Sequence, residues 1–365
     1  MTNQRRLSRR MFLGGGIGIA SLASNLLNPQ SAYASPTISH TADIASINAL
    51  PNNATGQFRN SSYNLQAIGL SARASGLPFI GGDVDPALNG FDPMKILTDF
   101  DGGKVTKLAN GQTLRDYTII STNKDIFPAP NQKFAAWAYN GRVPGPAIRA
   151  TLGDHIRIHY INKGDAAHGI HFHGIHAGNV DAGFQSIIPG TETFYEFDAA
   201  PVGVHLYHCH MSSLATHIVK ELYGFFIIDP PQPRPKALEL LMMMNNFTFK
   251  PITIGSTSDL YAINTVAYHY LKHPIPVRVN QLVRVYLGNI VEFDNLVGFR
   301  MHSNLFNFFP TGTGTQPAEV TDSVMMCQGQ RGILEFTFKT PGQYMFRSIY
   351  SQATDKGFLG AFQAV

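Results

Sequence analysis

From residue 113 onward the chain is a series of short apolar or alternating runs set between Gly and Pro. Residues 117–121, 134–139, 155–161, 193–197, 204–209 and 225–228 are rich in β-branched and aromatic residues. In 155–161, His155, Arg157 and His159 alternate with Ile156, Ile158 and Tyr160, the period-two pattern of a strand with one face buried. Runs of this length between turn residues predict a sandwich of short strands. A second series follows at 238–244, 277–286, 332–338, 344–349 and 358–365, and Pro230, Pro231, Pro233 and Pro235 form a stiff linker between the two. Met242, Met243 and Met244 read as core strand, methionine being an ordinary core filler. Residues 35–110 show weak periodicity and much Asn, Ser, Gly and Ala, which predicts an irregular N-terminal extension wrapped on the body.

The two series share local patterns. Pro189-Gly190-Thr191-Glu192 before Phe194-Tyr195-Glu196-Phe197 is echoed by Gly329-Gln330-Arg331-Gly332 before Leu334-Glu335-Phe336. Each half also closes on a Gly-containing aromatic strand, at Tyr223-Gly224-Phe225-Phe226 and Gly357-Phe358-Leu359-Gly360. A duplicated β-sandwich is expected, with halves at 111–230 and 231–365. Composition agrees: only 14% of the 365 residues are charged, while Gly (34), Pro (22), Phe (25) and Tyr (14) are plentiful. Such a mix marks an all-β chain with many turns, long enough for two cores.

The formal charge of +4 is carried by the first 34 residues, where Arg5, Arg6, Arg9 and Arg10 meet no acid; removing them leaves 4 − 4 = 0. Composition therefore offers no case for nucleic-acid binding. Arg9-Arg10 precedes an apolar run at 14–27 and a small-x-small site at Ala32-Tyr33-Ala34. That order predicts a twin-arginine signal peptide over 1–34 and export to the periplasm or beyond. As a membrane anchor the run is too short and too diluted by Gly and Ser.

The densest chemistry lies in residues 205–217, with His205, His208, Cys209, His210 and His217, preceded by His168, His171 and His173. A soft thiolate between imidazoles selects copper. If 207–211 is extended, His208 and His210 point to one face and Cys209 to the other, so one strand touches two metal sites. The only other cysteine is Cys327. A Cys209–Cys327 disulfide would remove the thiolate, so Cys327 is read as a buried small hydrophobe. His40, His155, His159, His269 and His273 lie outside the clusters and are read as non-ligands.

Val143-Pro144-Gly145-Pro146, Gly153-Asp154, His171-Phe172-His173-Gly174 and Leu206-Tyr207-His208-Cys209-His210 resemble the cupredoxin domain of multicopper oxidases. The closest likeness is to the two-domain bacterial type with its blue copper in domain 1, which is related to copper-containing nitrite reductases. The resemblance implies two Greek-key cupredoxin sandwiches and a homotrimer. It implies His168, Cys209 and His217 as type 1 copper ligands with Leu222 at the axial position, Glu221 being the less favoured alternative there. It implies His171, His173, His208 and His210 as one half of a type 2/type 3 cluster. In domain 2 that family places His-x-His pairs where this chain has Arg300-Met301-His302 and Arg347-Ser348-Ile349. His302 is left as a ligand that could act across a subunit boundary. The implied function is a laccase-like oxidase, taking electrons from a small-molecule or protein donor and passing them to dioxygen. The alternatives are a nitrite reductase and a non-catalytic blue-copper protein. No specific catalytic residue is assigned.

Overall fold

The strand His155–Asn162 shows how the pattern becomes structure: Ile156, Ile158 and Tyr160 are fully buried while His155, Arg157 and His159 stay half-exposed. The computed structural model describes residues 83–174, 186–253 and 255–365. The twin-arginine segment, His40 and most of the expected extension lie outside the described residues.

Four sheets are formed among the described residues, two from each half. In the first half, Thr113–Ala129 runs parallel to His155–Asn162, which is antiparallel to Glu192–Asp198. Facing them, Ala147–Thr151 is parallel to Tyr223–Asp229, followed by antiparallel Gly203–His208 and His171–Phe172. The second half repeats this plan. Leu238–Phe247 is parallel to Val283–Asn289, which is antiparallel to Arg331–Phe336. Ile275–Val277 is parallel to Leu359–Ala364, followed by antiparallel Gly342–Ser348 and Phe299–Met301. The duplication suggested by the sequence is thus a duplication of sheet order, in an all-β molecule.

Two expectations change. Residues 83–110 are not irregular throughout: Phe100–Asp101 pairs with Ala147–Thr151, and Lys104–Lys107 pairs with the long Thr113–Ala129 strand. They are preceded by two single-turn helices, Pro86–Asn89 and Pro93–Ile96, each opened by an Asp cap and a proline that needs no amide partner. The run at 277–286 is also two strands, broken by a turn in which Gln281 N donates to Arg278 O. Apolar patterning alone did not show that break.

The halves share a core. Phe134, Leu206 and Phe225 of the first pack with Met243, Phe247, Tyr286 and Ile333 of the second. Met242 and Met244 face the other way, into the second half's own core, so the Leu238–Phe247 strand is buried on both faces. Polar groups tie the halves as well. Arg149 bridges Asp229 and Glu239, each at 2.6 Å, while Arg284 reaches Glu239 at 3.0 Å and Glu335 at 2.6 Å. Tyr286 donates to Glu239 at 2.8 Å. Nearer the interface, the buried Glu221 accepts from Tyr223 and, at 3.0 Å, from Asn245 Nδ2 of the second half. Burial pushes the Glu221 carboxyl up to about 8, against the lowering effect of those two donors.

Glu239 neutralises two guanidinium groups, of which Arg284 has a side chain only 3% exposed. Glu239→Ala should therefore cost about 3 kcal/mol or more in unfolding free energy, read as a lower denaturant midpoint. For Glu221 the native state keeps a proton that the unfolded chain has lost above pH about 4.3. Its contribution is complete below that pH and declines as pH rises toward about 8. Glu221→Gln should flatten this part of the stability profile; an unchanged slope between the variant and the parent would refute the assignment.

Candidate metal centres

The Gly203–His208 strand is fully buried and ends where the chemistry begins, with Cys209 and His210 just beyond it. The strand ends one residue earlier than the expected run 204–209, yet the alternation persists: His208 and His210 join one group of rings and Cys209 turns the other way. Cys209 is tied to the next strand by its amide, which donates to Leu222 O at 3.0 Å. His217 arrives on the short helix Leu214–Val219, and His168 on a bridge to Ile187.

These three side chains converge. His168 Nδ1 and His217 Nδ1 are 3.3 Å apart, and Cys209 Sγ is 3.1 Å from His217 Nδ1 and 3.9 Å from His168 Nδ1. All three are buried. Burial, and then the neighbouring His217, depresses His168 to about 4, and burial lowers His217 as well, so both rings stay neutral donors. Burial pushes the Cys209 thiol up to about 11, although the amides of Met211, Gly169 and His210 act the other way. Two lone pairs and a sulfur aimed at one point inside an apolar shell fit a soft cation, which would also make the thiolate stable. Copper is the metal this donor set selects.

The surroundings define the site further. Leu222 is fully buried in the same apolar cluster as Cys209 and donates its amide to His217 O at 3.4 Å. Glu221 directs its carboxyl to Tyr223 and Asn245 instead. Gly164 passes so close that a Cβ there would sit 3.0 Å from His168 Nε2, a tight contact that the imidazole would have to yield to. Trp137 covers both ligand rings, its ring centre 4.7 Å from that of His168 and 4.8 Å from that of His217. Its indole N–H donates to the exposed Asp165 at 3.2 Å. Sequence reading took Trp137 for an ordinary strand residue. It is the chain's single tryptophan, which was the one available signal.

The second group lies across the same peptide. Ligand atoms of His171, His173 and His208 all fall within 4.8 Å of one another. His173 Nε2 is 2.8 Å from His208 Nε2. His208 Nδ1 donates to Cys209 O at 2.8 Å, which fixes the tautomer and leaves Nε2 with its lone pair. His210 packs its ring on His171, 4.7 Å between centres, outside the three-donor group. Burial first, then His208, His171 and Arg331, hold His173 down to about 3, so it too stays neutral. This set fits a second metal bound through imidazoles.

Among the described residues no group of three metal donors includes a residue of the second half. His302 is not brought to the histidine cluster; its Nε2 instead accepts from Arg347 Nε at 3.1 Å. Cys327 also departs from expectation: it is exposed, unbridged, and its amide donates to Gln330 Oε1 at 2.7 Å in a turn. Turn geometry placed it outside the core that its residue type favoured. Among the histidines read as non-ligands, His155 meets Asp198 at 2.8 Å and His273 meets Asp83 at 3.1 Å.

Comparison with known proteins agrees with this geometry. Two multicopper oxidase family models match in succession, over residues 121–233 and 229–365. A crystal structure of a multicopper oxidase is 43% identical, covers 78% of this chain and 100% of its own, and superposes with a TM-score of 0.75. The copper-containing nitrite reductase of Neisseria meningitidis (serogroup A) is 25% identical over 62% of this chain. The chain spans 64% of that relative's length. An L-ascorbate oxidase of Cucurbita pepo var. melopepo is 34% identical over 29% of this chain and 20% of its own. With the two models matched end to end and a solved relative spanned in full, the chain belongs to the multicopper oxidase family.

Proposed function

We propose that this protein is a laccase-like copper oxidoreductase, oxidising a small-molecule or protein donor one electron at a time and reducing dioxygen. The observation that carries the reading is the back-to-back pair of donor groups, His168–Cys209–His217 and His171–His173–His208, joined at the Cys209–His208 peptide. Copper, when bound, supplies one-electron redox chemistry at both positions. His168 and His217 present neutral Nδ1 donors, Cys209 the thiolate, and Leu222 a non-coordinating wall, a combination that raises the potential of the first position. Trp137 packs against both rings and shields them. The Cys209 carbonyl and the His208 Nδ1–H hydrogen bond give a short bonded route between the two groups. Dioxygen takes four electrons and four protons to yield two waters.

One set of observations favours a second reading. Arg300, Arg347 and Ile349 stand where a complete oxidase has histidines, and nitrite reductases are among the relatives. Under that reading His173 and His208, with a His302 supplied across a subunit boundary, hold a single type 2 metal, and nitrite takes one electron and two protons to give nitric oxide and water. A blue-copper carrier working through His168, Cys209 and His217 alone is the remaining alternative. The proposal extends to export through the Arg9-Arg10 signal, a cupredoxin boundary near 230, and a homotrimer.

Counting metal separates these readings: about four coppers per chain for the oxidase, about two for the nitrite reductase, about one for the carrier. Oxygen uptake and nitrite consumption with an artificial donor then divide the two enzymes; neither activity in fully loaded protein refutes both. Cys209→Ser should abolish the strong visible thiolate-to-copper band while leaving the far-UV spectrum unchanged, and a surviving band would overturn the ligand set. Because Trp137 packs edge-on against His168 and tilted against His217, copper loading should quench most of the protein's tryptophan emission, whereas zinc should not. Unquenched emission in blue protein would place the metal elsewhere.

A further inference from the structure

The duplicated topology assigns every first-half metal position a counterpart. His171 pairs directly with His208 across the antiparallel strands, and in the second half Arg300 pairs directly with Arg347 in the same way. The register makes Arg300 the counterpart of His171, His302 of His173, Arg347 of His208 and Ile349 of His210. The contacts are duplicated too. His173 Nε2 lies 2.8 Å from His208 Nε2, and His302 Nε2 lies 3.1 Å from Arg347 Nε. Cys209 N donates to Leu222 O at 3.0 Å, and Ser348 N donates to Phe358 O at 3.3 Å. The place that gathers neutral imidazoles in one half gathers guanidinium groups in the other.

Two arginines directly opposite each other on adjacent strands repel, and this pair is only partly neutralised. Asp322 reaches Arg300 Nη2 at 3.1 Å, and Arg347 uses Nη1 on its neighbour Ser348 O at 2.7 Å. Arg300 Nε is buried without an acceptor, although the side chain as a whole is 43% exposed. His302 supplies no counter-charge: burial and then both arginines lower its pKa, so it stays neutral and accepts from Arg347. Phe299, Met301 and Phe346 anchor the strands from the buried side, which fixes both arginines on the outer face. A guanidinium cannot ligate a metal, but its planar fork of donors matches an oxyanion.

We propose that Arg300 and Arg347 form a binding site for a small oxyanion, with His302 as the positioning residue that orients Arg347. The inference does not rest on the copper chemistry, since none of these residues belongs to either donor group of the first half.

The test is calorimetric titration of the copper-loaded protein with inorganic phosphate and, separately, nitrite, against chloride at matched ionic strength. Saturable binding of either oxyanion above chloride is expected, weakened at least tenfold by Arg300→Gln or Arg347→Gln. Should either variant fail to fold, Arg300→Lys with Arg347→Lys keeps the charge but removes the forks and should still weaken binding severalfold. His302→Ala should weaken it less than loss of Arg347. Binding should persist in Cys209→Ser, which separates failure of this site from failure of the redox reading. No saturable binding beyond chloride would overturn the proposal. So would unchanged affinity in Arg300→Gln and Arg347→Gln or, where these do not fold, in the double lysine variant.

Discussion

Everything chemical in this molecule depends on the reversal of side-chain direction between residues 208, 209 and 210. A buried strand delivers them, and its neighbours hold the alternation past its formal end, through the Cys209 amide on Leu222 and the His208 ring on the Cys209 carbonyl. One peptide therefore separates a sulfur with two imidazoles from a cluster made wholly of imidazoles. The first group is sealed by Trp137, Leu222 and the close passage of Gly164; the second lies beside Arg331. Burial keeps His168 and His217 of the first group and His173 of the second neutral, which is the protonation state a metal needs.

The second half holds this arrangement from behind. Met243, Phe247 and Tyr286 fill the apolar space under the Gly203–His208 and Tyr223–Asp229 strands, and the Glu239 ion network fastens the linker region. Glu221 extends the coupling to the loop that carries Leu222, with its carboxyl bound by a group from each half. The same half has inherited the sheet order of the first but not its ligands. Where backbone geometry repeats and side chains change from imidazole to guanidinium, the sign of the ion that can be held changes as well.

Strand existence and the candidate metal donors of the first half were legible because both are local signals. A period of two needs only five or six residues to show itself, and His208-Cys209-His210 with His217 is compact enough to read directly. Less was legible where the deciding contact was remote. Cys327 looked like a core residue by type but sits exposed in a turn held by Gln330. Residues 83–110 looked structureless because their short strands are stabilised by partners far along the chain. Trp137 carried no spacing signal, since the rings it covers are about thirty and eighty residues away in sequence.

The sequence by itself determined the all-β class, the duplication and the identity of a copper-selecting donor set, because periodicity and residue chemistry are written in adjacent positions. Only the tertiary structure decided what surrounds those donors. The lid over the first group, the destination of the Glu221 carboxyl and the pairing of Arg300 with Arg347 all arise from strands that meet only when the sheets assemble. Register between distant strands is settled by the packing of whole faces, and no local run of residues encodes it.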